Sequence, residues 1–139
     1  MRILHVSWEY PPLVYGGLGR HVHGLAEAQA ALGHEVVVVT QRPDGAPDDE
    51  VVNGVRVLRA AYDPLRLTES ELLGWVDGLG RALSRTALGS GSVPDVVHAH
   101  DWVVGGAARR LRDGLGVPLV ATLHATEAGR HQGWLPGDL

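Results

Sequence analysis

Val36-Val37-Val38-Val39-Thr40 is the stretch that most narrows the choice of fold. A continuous β-branched run suits a strand buried on both faces, as in a parallel sheet covered by helices. An amphipathic segment leads into it. Leu18, Val22, Leu25, Gln29 and Leu32 fall on one arc of a helical wheel, with Ala26 at its edge, which predicts a helix from Leu18 to Leu32. Gly33 supplies a left-handed stop directly after the last apolar residue. Ahead of the helix, Ile3 to Trp8 reads as a short buried strand. Strand, helix and parallel strand in that order make a βαβ unit with a right-handed crossover.

The connection inside that unit is Glu9-Tyr10-Pro11-Pro12-Leu13-Val14-Tyr15-Gly16-Gly17-Leu18-Gly19-Arg20-His21. Its two prolines keep the first half out of helix. Gly16 and Gly17 then let the backbone approach something closely before helical dihedrals begin. A glycine-rich turn from strand to helix presents unpaired N–H groups and the positive end of a helix dipole, so it suits an anion such as a phosphate. The same pair can equally serve only to turn the chain.

The pattern repeats downstream. Gln41 to Asp49 is an acidic, turn-rich loop, and Val51-Val52-Asn53-Gly54-Val55-Arg56-Val57-Leu58 predicts a hairpin whose second arm continues to about Ala61. Thr68 and Glu71 have capping-box spacing ahead of Leu72, Val76, Leu79 and Leu83, a helix expected to end near Leu88. Gly89 to Ser92 is a flexible connector. Pro94 to His100 reads as a strand, Trp102 to about Asp113 as a helix with Val103, Ala107, Ala108 and Leu111 inward, and Leu119 to His124 as a further strand. Ala125 to Leu139 shows no periodicity. The expected fold is one α/β domain, an open, mostly parallel Rossmann-like sheet with helices on both faces. Ligands of such sheets bind at the carboxyl ends of the strands. Those ends are Trp8 to Gly17, Thr40 to Arg42, His98 to Trp102 and His124 to Glu127.

Composition removes several chemistries. The net charge is −4 and no basic stripe occurs, which argues against nucleic acid as a partner. All 12 basic residues are arginine and cysteine is absent, so lysine amines, thiolates and disulfides are unavailable. No apolar run reaches membrane-spanning length and no signal segment precedes the first strand, so a soluble cytoplasmic protein is expected.

Among the polar residues at the strand ends, His124 closes an otherwise apolar strand. It either donates to a nearby carbonyl or points into the crevice. His98-Ala99-His100-Asp101 invites a metal site, since alternate strand residues share a face. A good site needs three or four convergent ligands. His21 and His23 do not add a pair, being ~200° apart on a helix. The expectation is therefore no metal. Asp101 stands where a helix N-cap belongs, so capping and a role in the crevice are both open. Glu9 is either a salt-bridged surface group or the holder of an acceptor hydroxyl. Neither G-x-G-x-x-G nor a Walker A sequence occurs.

Three segments taken together carry a resemblance: Trp8-Glu9-Tyr10-Pro11-Pro12 with Tyr15-Gly16-Gly17-Leu18-Gly19-Arg20-His21-Val22, then Pro94-Asp95-Val96-Val97-His98-Ala99-His100-Asp101-Trp102, then Thr122-Leu123-His124-Ala125-Thr126-Glu127. In order and spacing they resemble the amino-terminal domain of retaining GT-B glycosyltransferases of the glycogen-synthase-like type, family GT4. The segment His124 to His131 is most similar to actinobacterial α-1,4-glucosyltransferases that build glycogen or methylglucose lipopolysaccharide. The resemblance implies that Gly16 and Gly17 meet the donor diphosphate. It implies that His124 contacts a hydroxyl of the donor sugar near the reacting centre and that Asp101, with His100 and Trp102, lines the acceptor side, His124 and Asp101 being the catalytic residues. Glu9, His100, Trp102, Thr126 and Glu127 would line the substrate side of the cleft. The implied substrates are a nucleotide-sugar donor, UDP- or ADP-glucose, and an α-glucan acceptor, with no cofactor and no metal.

Such glycogen synthases often carry a lysine just before the glycine pair, where this chain has Tyr15. The resemblance further implies a carboxy-terminal Rossmann-like domain bearing a basic pair for the diphosphate and a glutamate-rich motif. Neither motif occurs here, so residues 1–139 read as an incomplete, acceptor-side piece, inactive without its partner domain. Two other readings stand beside it: a non-catalytic glucan- or phosphate-binding α/β module, and a metal-dependent hydrolase using His98, His100 and Asp101.

Overall fold

A computed structural model describes residues 1–62 and 71–126. Six strands form one sheet: β1 (Arg2–Val6), β2 (Glu35–Gln41), β3 (Asp49–Val52), β4 (Val55–Ala60), β5 (Val96–His100) and β6 (Leu119–Thr122), in the order β3-β4-β2-β1-β5-β6. Every neighbouring pair is parallel except β3 with β4. The helices are α1 (Gly17–Ala31), α2 (Leu72–Gly89) and α3 (Gly105–Leu115).

The valine run behaves as its composition requires. Val36 and Val38 pack with Val22 and Ala26 of α1, while Val37 and Val39 turn to the opposite face, where α2 and α3 close the larger core. The crossover β1–α1–β2 therefore covers one face and the later helices cover the other. The hairpin has the expected two-residue loop. Val52 pairs with Val55, and Asn53 and Gly54 take φ of 50° and 80°, both in the left-handed region that a tight Asn-Gly turn demands.

Several boundaries differ from expectation. The first strand ends at Val6, because the Ser7 hydroxyl donates to the Glu9 carbonyl at 2.6 Å and turns Trp8 into the loop. On α1 the buried stripe is Gly19, Val22 and Ala26, and Leu32 is 78% exposed. Small residues bring the helix axis close to the sheet, and Leu32, one residue past the helix, falls off its edge. α1 starts one residue early, at Gly17. After β5 the chain makes a short 3-10 turn, Trp102–Val104, before α3 begins. The last strand stops at Thr122, so His124 lies beyond the ladder. Glu71 stands at the N-cap of α2, but Thr68, the other half of the expected capping box, lies outside the described residues.

β1 occupies the middle of the sheet, between β2 and β5. Leu4 and Val6 point into the larger core, and His5 lies on the α1 side, level with His98 of β5. The alternation along β5 is the same: Val97 and Ala99 enter the core, while His98 and His100 share the α1 side. The histidines of two adjacent strands thus collect on one patch of the sheet, beside the first turn of α1.

Candidate active site at the carboxyl ends of the strands

Glu9 fixes the loop that follows β1. It is 3% exposed, and its two carboxylate oxygens accept from the Tyr15 N–H at 3.2 Å and the Gly19 N–H at 3.0 Å. Glu9 therefore acts as a carboxylate cap on the start of α1, where a negative charge is favoured by the helix dipole. It is not a salt-bridged surface group. Gly19 suits this clamp: a Cβ there would crowd it, lying 3.1 Å from Glu9 Cβ and 3.1 Å from Val14 Cγ2. Gly16 and Gly17 differ. A Cβ on either meets nothing within 4 Å, and neither has a positive φ. Internal packing and backbone conformation leave their bareness unexplained, and the N–H groups at the helix start lack intrahelical partners.

Opposite this loop, Asp101 directly follows β5 with φ 71° and ψ 172°, a conformation that side-chain-bearing residues rarely adopt. Its carboxylate accepts from the Trp102 N–H at 2.9 Å, and its own N–H donates to the Thr122 carbonyl at 2.8 Å. Asp101 does cap, but it caps the 3-10 turn rather than α3. The cost of such a backbone is about 1–3 kcal/mol. Asp101→Gly should accordingly be more stable than Asp101→Ala by about 1–2 kcal/mol, since both lose the cap and only glycine releases the strain. Urea midpoints of the two variants check this, and equal midpoints would show that the positive φ is unstrained.

Between these two ends runs a chain of imidazoles. Gln29 Oε1 accepts from His5 Nε2–H at 2.6 Å, and His5 Nδ1 lies 3.0 Å from His100 Nε2. With His5 protonated at Nε2, its Nδ1 is an acceptor, so His100 donates from Nε2 and keeps a lone pair on Nδ1. That lone pair faces His124 Nε2 at 3.5 Å. His5 and His100 are fully buried. Desolvation lowers His5 to about 4 against the opposing hydrogen bond from Gln29, and lowers His100 to about 2, aided by the neighbouring His98 and His5. Both are neutral at pH 7. Burial also lowers His98, whose Nε2 is 2.7 Å from the Thr122 hydroxyl.

His21 completes the cluster. Its ring centroid is 5.1 Å from that of His124 and 5.8 Å from that of His100. His23, as the helical spacing requires, faces elsewhere and lies 2.8 Å from Glu27. The grouping of His98, His100 and Asp101 as metal ligands is not what forms. Among the described residues, the histidine triads with convergent nitrogens are His5–His98–His100 and His21–His100–His124, and neither includes Asp101.

Aromatic side chains lie in the segments that follow β1 and β5. Trp8 stacks on the exposed Tyr15, with centroids 5.4 Å apart, and meets Trp75 edge-on. Trp102 is half-buried against the core. The structure thus brings His124, His100, Asp101, Trp102, Gly16, Gly17 and Glu9 to the carboxyl side of the sheet, as expected, with His100 and Glu9 buried beneath it. Thr126 is exposed. Glu127 lies outside the described residues. Sequence reasoning missed His5, Gln29 and His21. A histidine inside the apolar run Ile3-Leu4-His5-Val6, with a glutamine on the inner arc of the next helix, was the available sign.

The pattern that defines the glycosyl transferase 4-like domain matches residues 16–137. Glycogen synthase of Mycobacterium tuberculosis is 50% identical over 153 aligned residues, which cover 100% of this chain and 37% of the relative. D-inositol 3-phosphate glycosyltransferase of Jonesia denitrificans is 34% identical over 127 residues, covering 88% of this chain and 30% of the relative. Sucrose-phosphate synthase from Thermosynechococcus elongatus superposes with a TM-score of 0.75 at 22% identity, over 99% of this chain and 36% of that one. The catalytic domain of starch synthase IV from Arabidopsis thaliana, bound to ADP and acarbose, gives 0.70 at 23% identity, over 88% and 33%. The two structures establish the fold, the amino-terminal Rossmann-like half of GT-B. The chain spans about a third of the length of the relatives it matches. Among the described residues no helix is long and apolar enough to cross a membrane. On the match from Gly16 onward, this chain belongs to the glycosyl transferase 4-like domain family.

Proposed function

We propose that the chain is the acceptor-side half of a retaining glucosyltransferase that moves glucose from UDP- or ADP-glucose to an α-1,4-glucan, inactive alone and completed by a carboxy-terminal nucleotide-sugar domain. The observation that carries the reading is the unfilled space over Gly16 and Gly17, at the start of a helix and without any internal need for glycine. Glycosyl transfer passes through an oxocarbenium-like state and expels a diphosphate. N–H donors fixed at a helix start stabilise that leaving group without a metal. The Glu9 clamp holds those donors in place before the substrate arrives. His124 Nε2 faces His100, so its Nδ1 is the nitrogen left for a hydroxyl of the donor sugar. Asp101, Trp102, Thr126 and Glu127 are assigned to the acceptor side, with the Trp8–Tyr15 stack as an apolar platform for a sugar ring. The use of nucleotide-sugars goes with a cytoplasmic location.

Two measurements test the proposal. Tryptophan fluorescence of this chain is titrated with a short maltooligosaccharide, UDP-glucose and ADP-glucose. A response to the glucan without tight nucleotide-sugar binding is expected, since the donor base would be held by the other domain. Tight nucleotide-sugar binding by these residues alone would overturn the division of labour. In the full-length protein, Gly17→Val should raise the donor KM by about tenfold, equivalent to ~1.4 kcal/mol, with Tm nearly unchanged because a Cβ at this position has open space around it. Unchanged donor KM would remove the diphosphate from this loop.

A further inference from the structure

His21, His100 and His124 meet three separate requirements of a tetrahedral imidazole site. The first is spacing. Zinc–nitrogen bonds of about 2.0–2.1 Å place two ligand nitrogens ~3.3–3.4 Å apart and the ring centroids ~5.2 Å apart. His100 Nδ1 and His124 Nε2 are 3.5 Å apart, at the outer limit of a hydrogen bond but close to that tetrahedral edge. The three centroid separations are 5.1, 5.7 and 5.8 Å. One nitrogen from each ring lies within 4.8 Å of the other two.

The second requirement is a lone pair aimed at the ion. His100 is buried and cannot swing, but its Nε2–H is committed to His5 Nδ1 at 3.0 Å, and His5 is in turn held by Gln29 at 2.6 Å. That arrangement fixes the tautomer of His100 with Nδ1 bare and facing the other two rings. A ligand histidine whose second nitrogen is hydrogen-bonded in this way has the outer shell that metal sites use. The third requirement is access, and His21 and His124 are exposed. The neighbouring triad fails the same tests. In His5–His98–His100 both nitrogens of His5 are already engaged, and His98 Nε2 faces the Thr122 hydroxyl.

We infer that His21, His100 and His124 bind one divalent cation of the zinc class, with solvent in the fourth position. Three neutral imidazoles and no carboxylate select zinc, copper or nickel over magnesium and calcium. An ion seated there occupies the same opening as the donor sugar in the function proposed above. It would therefore act as an inhibitor rather than a participant. Binding itself does not depend on that function and is tested separately.

The experiment is a titration of the full chain with Co2+, followed by its visible absorption, with Zn2+ as competitor. One equivalent should give the intense bands of a low-coordinate cobalt site, and Zn2+ should remove them. His21→Gln and His124→Gln, both at exposed positions and verified as folded by circular dichroism, should each weaken binding at least about tenfold. His23→Gln should leave it unchanged. Absence of low-coordinate bands, or bands of undiminished affinity in both variants, would overturn the site.

Discussion

His124→Ala in the full-length enzyme is expected to lower kcat by about 10²-fold or more while leaving Tm nearly unchanged. The two halves of this result rest on different observations. His124 is exposed and lies beyond the end of β6, and among the described residues it makes a 3.5 Å approach to His100 and ring contacts with His21 and His100. Removing it opens no core cavity, so the stability change should fall within about 0.5 kcal/mol. A donor or acceptor placed against the reacting sugar is worth about 10²–10³ in kcat. Steady-state kinetics and thermal melts of the same preparation check both halves. Parallel losses of stability and activity would show that His124 is only a structural residue at the rim.

The chain should also lose about 4 kcal/mol of stability between pH 7.5 and pH 5 in buffer containing EDTA. The cause is the buried pair His5 and His100. Their folded values, about 4 and about 2, lie below the ordinary histidine value, so the unfolded chain binds protons more readily through that window. Stability from these groups is therefore complete above about pH 6.5 and is lost as pH falls toward the folded values. Each contributes ~1.4 kcal/mol per pH unit, and two groups over ~1.5 units give the total. Protonation of His5 at Nδ1 would also turn the acceptor of His100 into a donor, leaving two N–H groups face to face. A net stability of ~5–15 kcal/mol makes such a loss visible as a large drop in urea midpoint. A midpoint that is flat across this range would mean that neither histidine is held neutral.

The sheet and its helices were legible because their determinants are local. The four valines of β2, the wheel pattern of α1 and the Asn53-Gly54 turn each specify an element from within a few residues. The strand-end site was legible in outline for the same reason, since the carboxyl ends of parallel strands share one side. What escaped sequence reasoning depends on pairs far apart in the chain. Nothing near Glu9 announces that its carboxylate will take the amides of Tyr15 and Gly19. The helical argument separated His21 from His23 correctly. It could not show that the first turn of α1 faces the ends of β5 and β6. For Asp101, capping and a role in the crevice were both open, and the positive φ at the passage from β5 into a 3-10 turn is a backbone feature that no composition rule encodes.

The central place of β1 bears on how the molecule assembles. This strand precedes the other five along the chain, yet half of its ladder waits for Val96 to Ala99, and the link from His5 to His100 spans 95 positions. β1, α1, β2 and β4 can associate early through comparatively short loops. Insertion of β5 on the other flank closes the longest loop and comes with the largest entropic delay. A nascent or partly refolded chain thus carries an open edge at β1 next to an unfinished histidine cluster. Recovery of the cluster marks completion of the whole sheet, and an assay that reads those imidazoles reports folding as much as it reports chemistry.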